Sequence, residues 1–322
     1  MPLDSATPLR FTSVPASAVG AKFCDTIEID QEAHRLYAGD NWAGGVDVFD
    51  ISTPEAKYLK TIKTKGGFYG IAVAKDLNKV FVGLASGYVG VIDIDPASPT
   101  FETFVARIAL GGKGSADLIE YVPEHRKLYA GMHGDRYVGV LEAVTHAIVG
   151  RIEGLGGNLE QPRYYPGDGM VYVASRTANA LHQIDPTTDT LVQTFDIGVE
   201  CHPNGVAINP KTGMALLVSD NQQITVVWDL KEQKIASVIE ESGGGDGAFY
   251  DPTIDLFIAA HQGFAGGPVA GIFGGDPVRF LANVPTQKSS SWVAYDRTNR
   301  LVYAPALQEG RPALLSFALP NF

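Results

Sequence analysis

A four-residue phrase, in which an apolar residue is followed by a large aromatic or aliphatic one, another apolar one and a small one, returns seven times along the chain. It reads Leu36-Tyr37-Ala38-Gly39, Val80-Phe81-Val82-Gly83, Leu128-Tyr129-Ala130-Gly131, Val171-Tyr172-Val173-Ala174, Leu216-Leu217-Val218-Ser219, Leu256-Phe257-Ile258-Ala259 and Val302-Tyr303-Ala304-Pro305. Successive second residues, from Tyr37 to Tyr303, lie roughly 44 residues apart, the length of one four-stranded propeller blade. A unit of that size is a small antiparallel sheet that cannot bury both its faces alone. The units must therefore pack against one another, and closing them into a ring removes the exposed edges.

Within each unit an apolar segment ending in a turn precedes the phrase, as in Ile71-Ala72-Val73-Ala74 and Val206-Ala207-Ile208-Asn209. These read as strand a and the phrase as strand b. Segments such as Val46-Asp47-Val48-Phe49-Asp50 and Thr225-Val226-Val227-Trp228-Asp229 read as strand c, and Thr190–Phe195 as a more exposed strand d. The 36 glycines and 19 prolines among 322 residues leave little room for long helices. The last unit offers strands at Trp292–Tyr295, Leu301–Ala304 and Leu314–Phe317 but no fourth, whereas Leu9–Val14, ahead of the first unit, alternates suitably. The expectation is an all-β, seven-bladed propeller, one domain over residues 1–322, closed by the N-terminal strand pairing with the C-terminal blade.

The charge balance narrows the partners. With 25 Lys+Arg against 36 Asp+Glu the formal charge is −11, and without a basic stripe nucleic acid is not expected. The first residues lack a basic start followed by an apolar run, and no stretch is apolar enough to span a bilayer, so a cytoplasmic protein without membrane contact is expected. Only Cys24 and Cys201 are present, which excludes a disulfide framework.

The phrase Val171-Tyr172-Val173-Ala174 followed by Gln183-Ile184-Asp185-Pro186-Thr187-Thr188-Asp189, with Val91–Asp95 and Val48–Thr53 as weaker copies, resembles the YVTN-repeat, lactonase-like family of seven-bladed propellers. The resemblance covers nearly the whole chain. It implies the fold, and a function drawn from a range that includes lactonases, lyases, cyclases, redox modules and binding scaffolds. No phrase reads Tyr-Val-Thr-Asn, so no catalytic residue is carried over from the family.

Comparing the repeats with one another locates a candidate site. Five residues before the end of each strand a stand Asp25, Tyr69, Asp117, Glu160, Asn204, Asp246 and Ser291, a ring of mostly acidic side chains expected at the mouth of the central channel. The loop after strand b begins with Asn41, His133, Arg176 and His261 in four of the units, and His202 enters blade five on the same face. Glu160, Asn204 and Asp246 would suit Ca²⁺ or Mg²⁺, a set similar to that of six-bladed gluconolactonase-type propellers. His133, His202 and His261 would instead suit Zn²⁺, Cu²⁺ or Fe²⁺. Without a metal, Asp25, Asp117, Glu160 or Asp246 would serve as acid or base with one of the three histidines, and Arg176 would orient an oxygen. Trp42, Phe68, Tyr69 and Trp292 would supply aromatic walls, with Asn41, Asn204 and the acids contacting substrate. Gly243–Gly247 and Gly111–Gly114 precede strands and not helices, so no nucleotide cofactor is expected. The resulting function is a small-molecule hydrolase or lyase acting in the funnel on a lactone-like or other oxygenated substrate; the alternatives are a cofactor-free cyclase or isomerase, or a non-catalytic ligand-binding scaffold.

Overall fold

Each repeat folds into a sheet of four antiparallel strands, and seven such sheets form the ring. The computed structural model describes residues 9–15, 24–41, 43–64 and 66–322. Blade three is representative, with strand a at Ser115–Val122, b at Lys127–His133, c at Val138–Glu142 and d at Ile148–Ile152. The seventh sheet closes as expected: Arg10–Ser13 pairs antiparallel with Arg311–Ala318, with Phe11 opposite Leu315, and the Val14 amide donates to the Pro312 carbonyl at 2.9 Å. Among the described residues no helix is long and apolar enough to cross a membrane.

Asparagine and aspartate end the strands for a local reason, since their carboxyl or amide oxygen accepts from backbone amides two or three residues on and so turns the chain. Asp50, Asp185 and Asp229, at the ends of three c strands, accept from the amides of Ser52, Thr187 and Lys231. Asp30, Asn209, Asp251 and Asp296 do the same after strand a. These turns keep the a–b connection nearly constant in length.

The core lies between blades. Tyr37, Val46 and Val48 of blade one, for example, pack on Phe68, Ile71, Val80 and Val82 of blade two. Phe68 is therefore a core residue with no exposed surface, and not a wall of the funnel. At roughly 25 cal/mol per Å² of apolar area, each such ring contributes about 2–3 kcal/mol, so the interfaces between blades hold the ring together. Both cysteines are buried, and burial raises the pKa of each thiol, which makes them packing residues.

Toward the axis the strands approach so closely that side chains are excluded at several points. A Cβ on Gly70 would lie 2.4 Å from the Asp117 carbonyl oxygen, and one on Gly205 would lie 2.3 Å from that of Asp246. Gln161, fully buried, lies between neighbouring blades, accepting from the Val206 amide at 2.8 Å and donating to the Ala248 carbonyl at 3.5 Å. Beside it Leu118 faces one end of the channel while Ile119 and Glu120 face the other. Two cavities with no lining residue in common therefore open along strand a.

Candidate functional site

The upper cavity, of about 290 Å³, is lined by Asp25, Tyr69, Asp117, Glu160, Asn204 and Asp246 from the entrances of six strands a. His133 and Arg176 reach it from the b–c loops, and Ser115, Leu118 and Trp292 complete the wall. Its position on the strands explains the convergence. In blades two to five the pairing of strands a and b slips between Phe68 and Ile71, Ala116 and Ile119, Leu159 and Pro162, and Pro203 and Gly205. Those irregularities bracket Tyr69, Asp117, Glu160 and Asn204. A bulge breaks the two-residue alternation and re-aims the side chain it contains, here out of the inter-blade packing and into the channel mouth.

Three donors meet on one side of this cavity. Asp117 Oδ2 lies 3.4 Å and Glu160 Oε1 3.3 Å from His133 Nδ1. All three ligand atoms fall within 4.8 Å of one another, and no other group of three His, Cys, Asp or Glu among the described residues does so. The buried Nδ1 makes no hydrogen bond of good geometry to either oxygen. Two ligand atoms each about 2.1 Å from an ion, at a tetrahedral angle, stand about 3.4 Å apart, which matches the separation of each carboxylate oxygen from His133 Nδ1. The donor set therefore fits a divalent ion. With one imidazole and two carboxylates it belongs to the borderline metals such as Zn²⁺, Mn²⁺ or Fe²⁺ more than to Ca²⁺.

Around these donors the polar groups are held firmly. Glu160 is 4% exposed and lies 3.3 Å from Arg176 Nε, while Arg176 Nη1 reaches Asp220 Oδ2 at 3.0 Å. Asn204 donates through Nδ2 to Asp246 Oδ1, leaving its own buried Oδ1 without a partner. The His133 pKa is raised, first by direct contact with the Glu160 carboxylate and further by the charges of Glu160 and Asp117, against burial and Arg176. A metal must displace that proton, so its affinity is expected to rise with pH through a range above 6.5, the ordinary value of the ring. Competition titrations of Zn²⁺ between pH 6 and 8.5 should show release of about one proton per ion; a pH-independent affinity would remove His133 from the ligand set.

The sequence-based ligand sets are only half assembled. The oxygen set contributes Glu160 and the histidine set His133, but Asp117 takes the third place. His261 has no exposed surface: its Nδ1 contacts Ser242 Oγ at 2.5 Å, its Nε2 Thr225 Oγ1 at 3.4 Å, and burial lowers its pKa to about 3. The cause is register. Strand b of blade six starts at Leu256 opposite Asp251, as that of blade four starts at Met170 opposite Tyr165. Counted from those starts His261 is level with Ser175, and Gln262 is the residue level with Arg176. A shift of one residue along a strand exchanges the two faces. The same count puts Asp220 at this level in blade five, and Asp220 and Gln262 line a second hollow that adjoins the site and shares Arg176 and Asp246 with it. Sequence comparison missed both, although a register anchored at the turn after strand a would have found them.

Two other residues serve as supports. His202 accepts no place in the cavity wall; its Nδ1 lies 3.0 Å from the Arg176 carbonyl oxygen and its Nε2 2.8 Å from Glu200 Oε2. It holds the loop that carries Arg176. Asn41 brackets Phe68, donating to its carbonyl and accepting from its amide, and so ties blade one to blade two instead of touching the cavity. Trp292 does face the cavity, because strand a of blade seven begins at Ala294, two residues later than the pattern implied. Gly247 makes room for it, since a Cβ there would sit 2.2 Å from the indole. Ser291 donates to the Cys24 carbonyl at 3.1 Å. Trp42 lies outside the described residues. Compared with known proteins, the chain matches no protein-family model and no curated protein.

Proposed function

We propose that the upper cavity is the active site of a small-molecule hydrolase or lyase that uses a divalent metal ion held by Asp117, His133 and Glu160. The observation that carries this reading is the ligand-like spacing of those three donors in a cavity otherwise lined by Arg176, Asn204 and Asp246. Such an ion supplies a Lewis acid for a carbonyl oxygen and lowers the pKa of a bound water. The chain's own groups provide the rest. Arg176, oriented by Asp220, neutralises an oxygen on which charge develops. Asp246, fixed by the Asn204 amide, accepts or returns a proton, and the unpartnered Asn204 Oδ1 takes a substrate hydroxyl. Tyr69, Leu118 and Trp292 keep the inner wall apolar.

A lactone or another small oxygenated molecule suits these groups, and the resemblance of the repeated phrase to lactonase-like propellers is compatible with it. The cofactor-free cyclase reading has less support, because charged side chains outnumber aromatic ones in the lining. Elemental analysis after reconstitution with Zn²⁺ or Mn²⁺ and dialysis tests the proposal. About one ion per chain is expected in the wild type, with loss in Glu160→Gln and His133→Ala and parallel loss of lactone or ester hydrolysis. A wild type that retains no ion at micromolar free metal would overturn it.

A further inference from the structure

At the other end of the axis, beyond Leu118 and Gln161, a cavity of about 360 Å³ opens between the ends of the inner strands. It shares no lining residue with the upper cavity. Three charged side chains project into it: Glu28 from blade one, Glu120 from blade three and Arg163 from blade four. Arg163 Nη1 pairs with Glu120 Oε2 at 2.7 Å, and Glu120 Oε1 accepts from the Tyr164 amide at 3.2 Å, so that pair is satisfied internally. Glu28 is different. It has no hydrogen-bond or ion-pair partner among the described residues, and with it the three charges sum to −1 when all are ionised. The remaining wall is apolar and aromatic. Tyr121 and Tyr250 stand at its edge with their hydroxyls turned onto Asp76 and Asp255, at 2.9 and 2.6 Å.

A half-buried carboxyl in a cavity whose uncharged side chains are apolar or aromatic, with two of the tyrosine hydroxyls engaged by further acids, is complementary to a cation that carries its own hydrophobic body. An anion would meet a net charge of −1, since the Glu120 carboxylate already takes up Arg163, and a neutral apolar molecule would leave Glu28 desolvated and unpaired. We propose that this lower cavity binds an organic ammonium ion, with its charge on Glu28 and its body against Ile71, Val73, Ile119, Ile208 and Phe249. Binding also carries a proton signature. Burial raises the Glu28 pKa to about 7, with Arg163 opposing and Glu120 adding to the shift. An ammonium ion requires the ionised form, so binding near pH 6 releases a proton from Glu28.

Calorimetric titration of the full chain with 2-phenylethylammonium, and with 2-phenylethanol as its uncharged counterpart, tests the site. The ammonium ion should bind about tenfold or more tightly than the alcohol. Glu28→Gln should abolish that preference and, in buffers of different ionisation enthalpy, the proton release at pH 6. Asp117→Asn in the upper cavity should leave both intact. Val73→Trp, at a half-exposed position on the wall, should block binding while the circular dichroism spectrum is kept, which covers the case of a Glu28 variant that fails to fold. Equal affinity for the two ligands, no effect of Glu28→Gln, or loss on Asp117→Asn would each overturn the proposal, the last by placing the cation in the upper cavity.

Discussion

Asp47→Asn should stabilise the protein at pH 9, by on the order of 3 kcal/mol, and leave its stability at pH 4 nearly unchanged. Asp47 lies in strand c of blade one and Asp40 at the end of strand b, and neither has exposed surface. Burial is the first cause that raises the Asp47 pKa, the Asp40 charge the second, while a hydrogen bond from Thr61 works in the opposite direction. The native value of about 8 stands against an ordinary 3.8. Between those values the native state keeps a proton that the unfolded chain has lost, so raising the pH favours unfolding. The contribution is whole below pH 4 and is lost as the pH climbs toward 8. Asparagine cannot ionise and removes the slope. The full shift would be worth more, at about 1.4 kcal/mol per pKa unit, but local relaxation around a newly ionised carboxylate softens the penalty. Urea denaturation of both proteins at pH 4, 7 and 9 measures the difference, and a constant offset at all three would show that Asp47 does not titrate in this range.

His261→Ala should cost about 2–4 kcal/mol at pH 7 without changing the metal content of the upper cavity. The substitution leaves a void against Phe273 and strips Ser242 Oγ and Thr225 Oγ1 of a partner. Its pH dependence has the sign opposite to that of Asp47. The buried ring is held neutral down to about pH 3, whereas an unfolded histidine protonates near 6.5. Stability from this source is therefore complete above pH 6.5 and declines as the pH falls toward 3. In the alanine variant that acid-side decline should vanish. A variant that lost its metal while keeping its stability would instead place His261 in the site and refute the strand register.

The two residues also show where reading the chain in one dimension succeeds and where it stops. The blade count is legible because every strand b must be apolar on both sides, one face toward each neighbouring blade, so Leu36-Tyr37 and Val171-Tyr172 carry the same signature wherever they occur. The acidic ring is legible for a related reason: the turn after strand a varies little in length from blade to blade, whether an Asx hydrogen bond closes it, as at Asp30 and Asp251, or backbone bonds do, as after Val122 and Tyr165, and this fixes the count back to Asp25, Asp117, Glu160 and Asp246. Units five and six break the comparison, since their phrases start on the third and the first residue of the strand and not the second; one residue of error hides Asp220 in unit five and moves His261 from core to cavity in unit six.

Sequence by itself thus determined the period, the closure by Arg10–Ser13 and the height along the axis at which each ring residue stands, because these follow from local alternation and turn chemistry. Tertiary structure alone decided which of those residues meet. Asp117, His133 and Glu160 come from two blades and three strands, and their approach to within 4.8 Å depends on the bulges in strand a and on the angle between neighbouring sheets. It decided equally that two cavities with no lining residue in common, and of different chemistry, open along the inner strands. Contacts across the axis are set by the packing of whole blades, and no spacing along the chain encodes them.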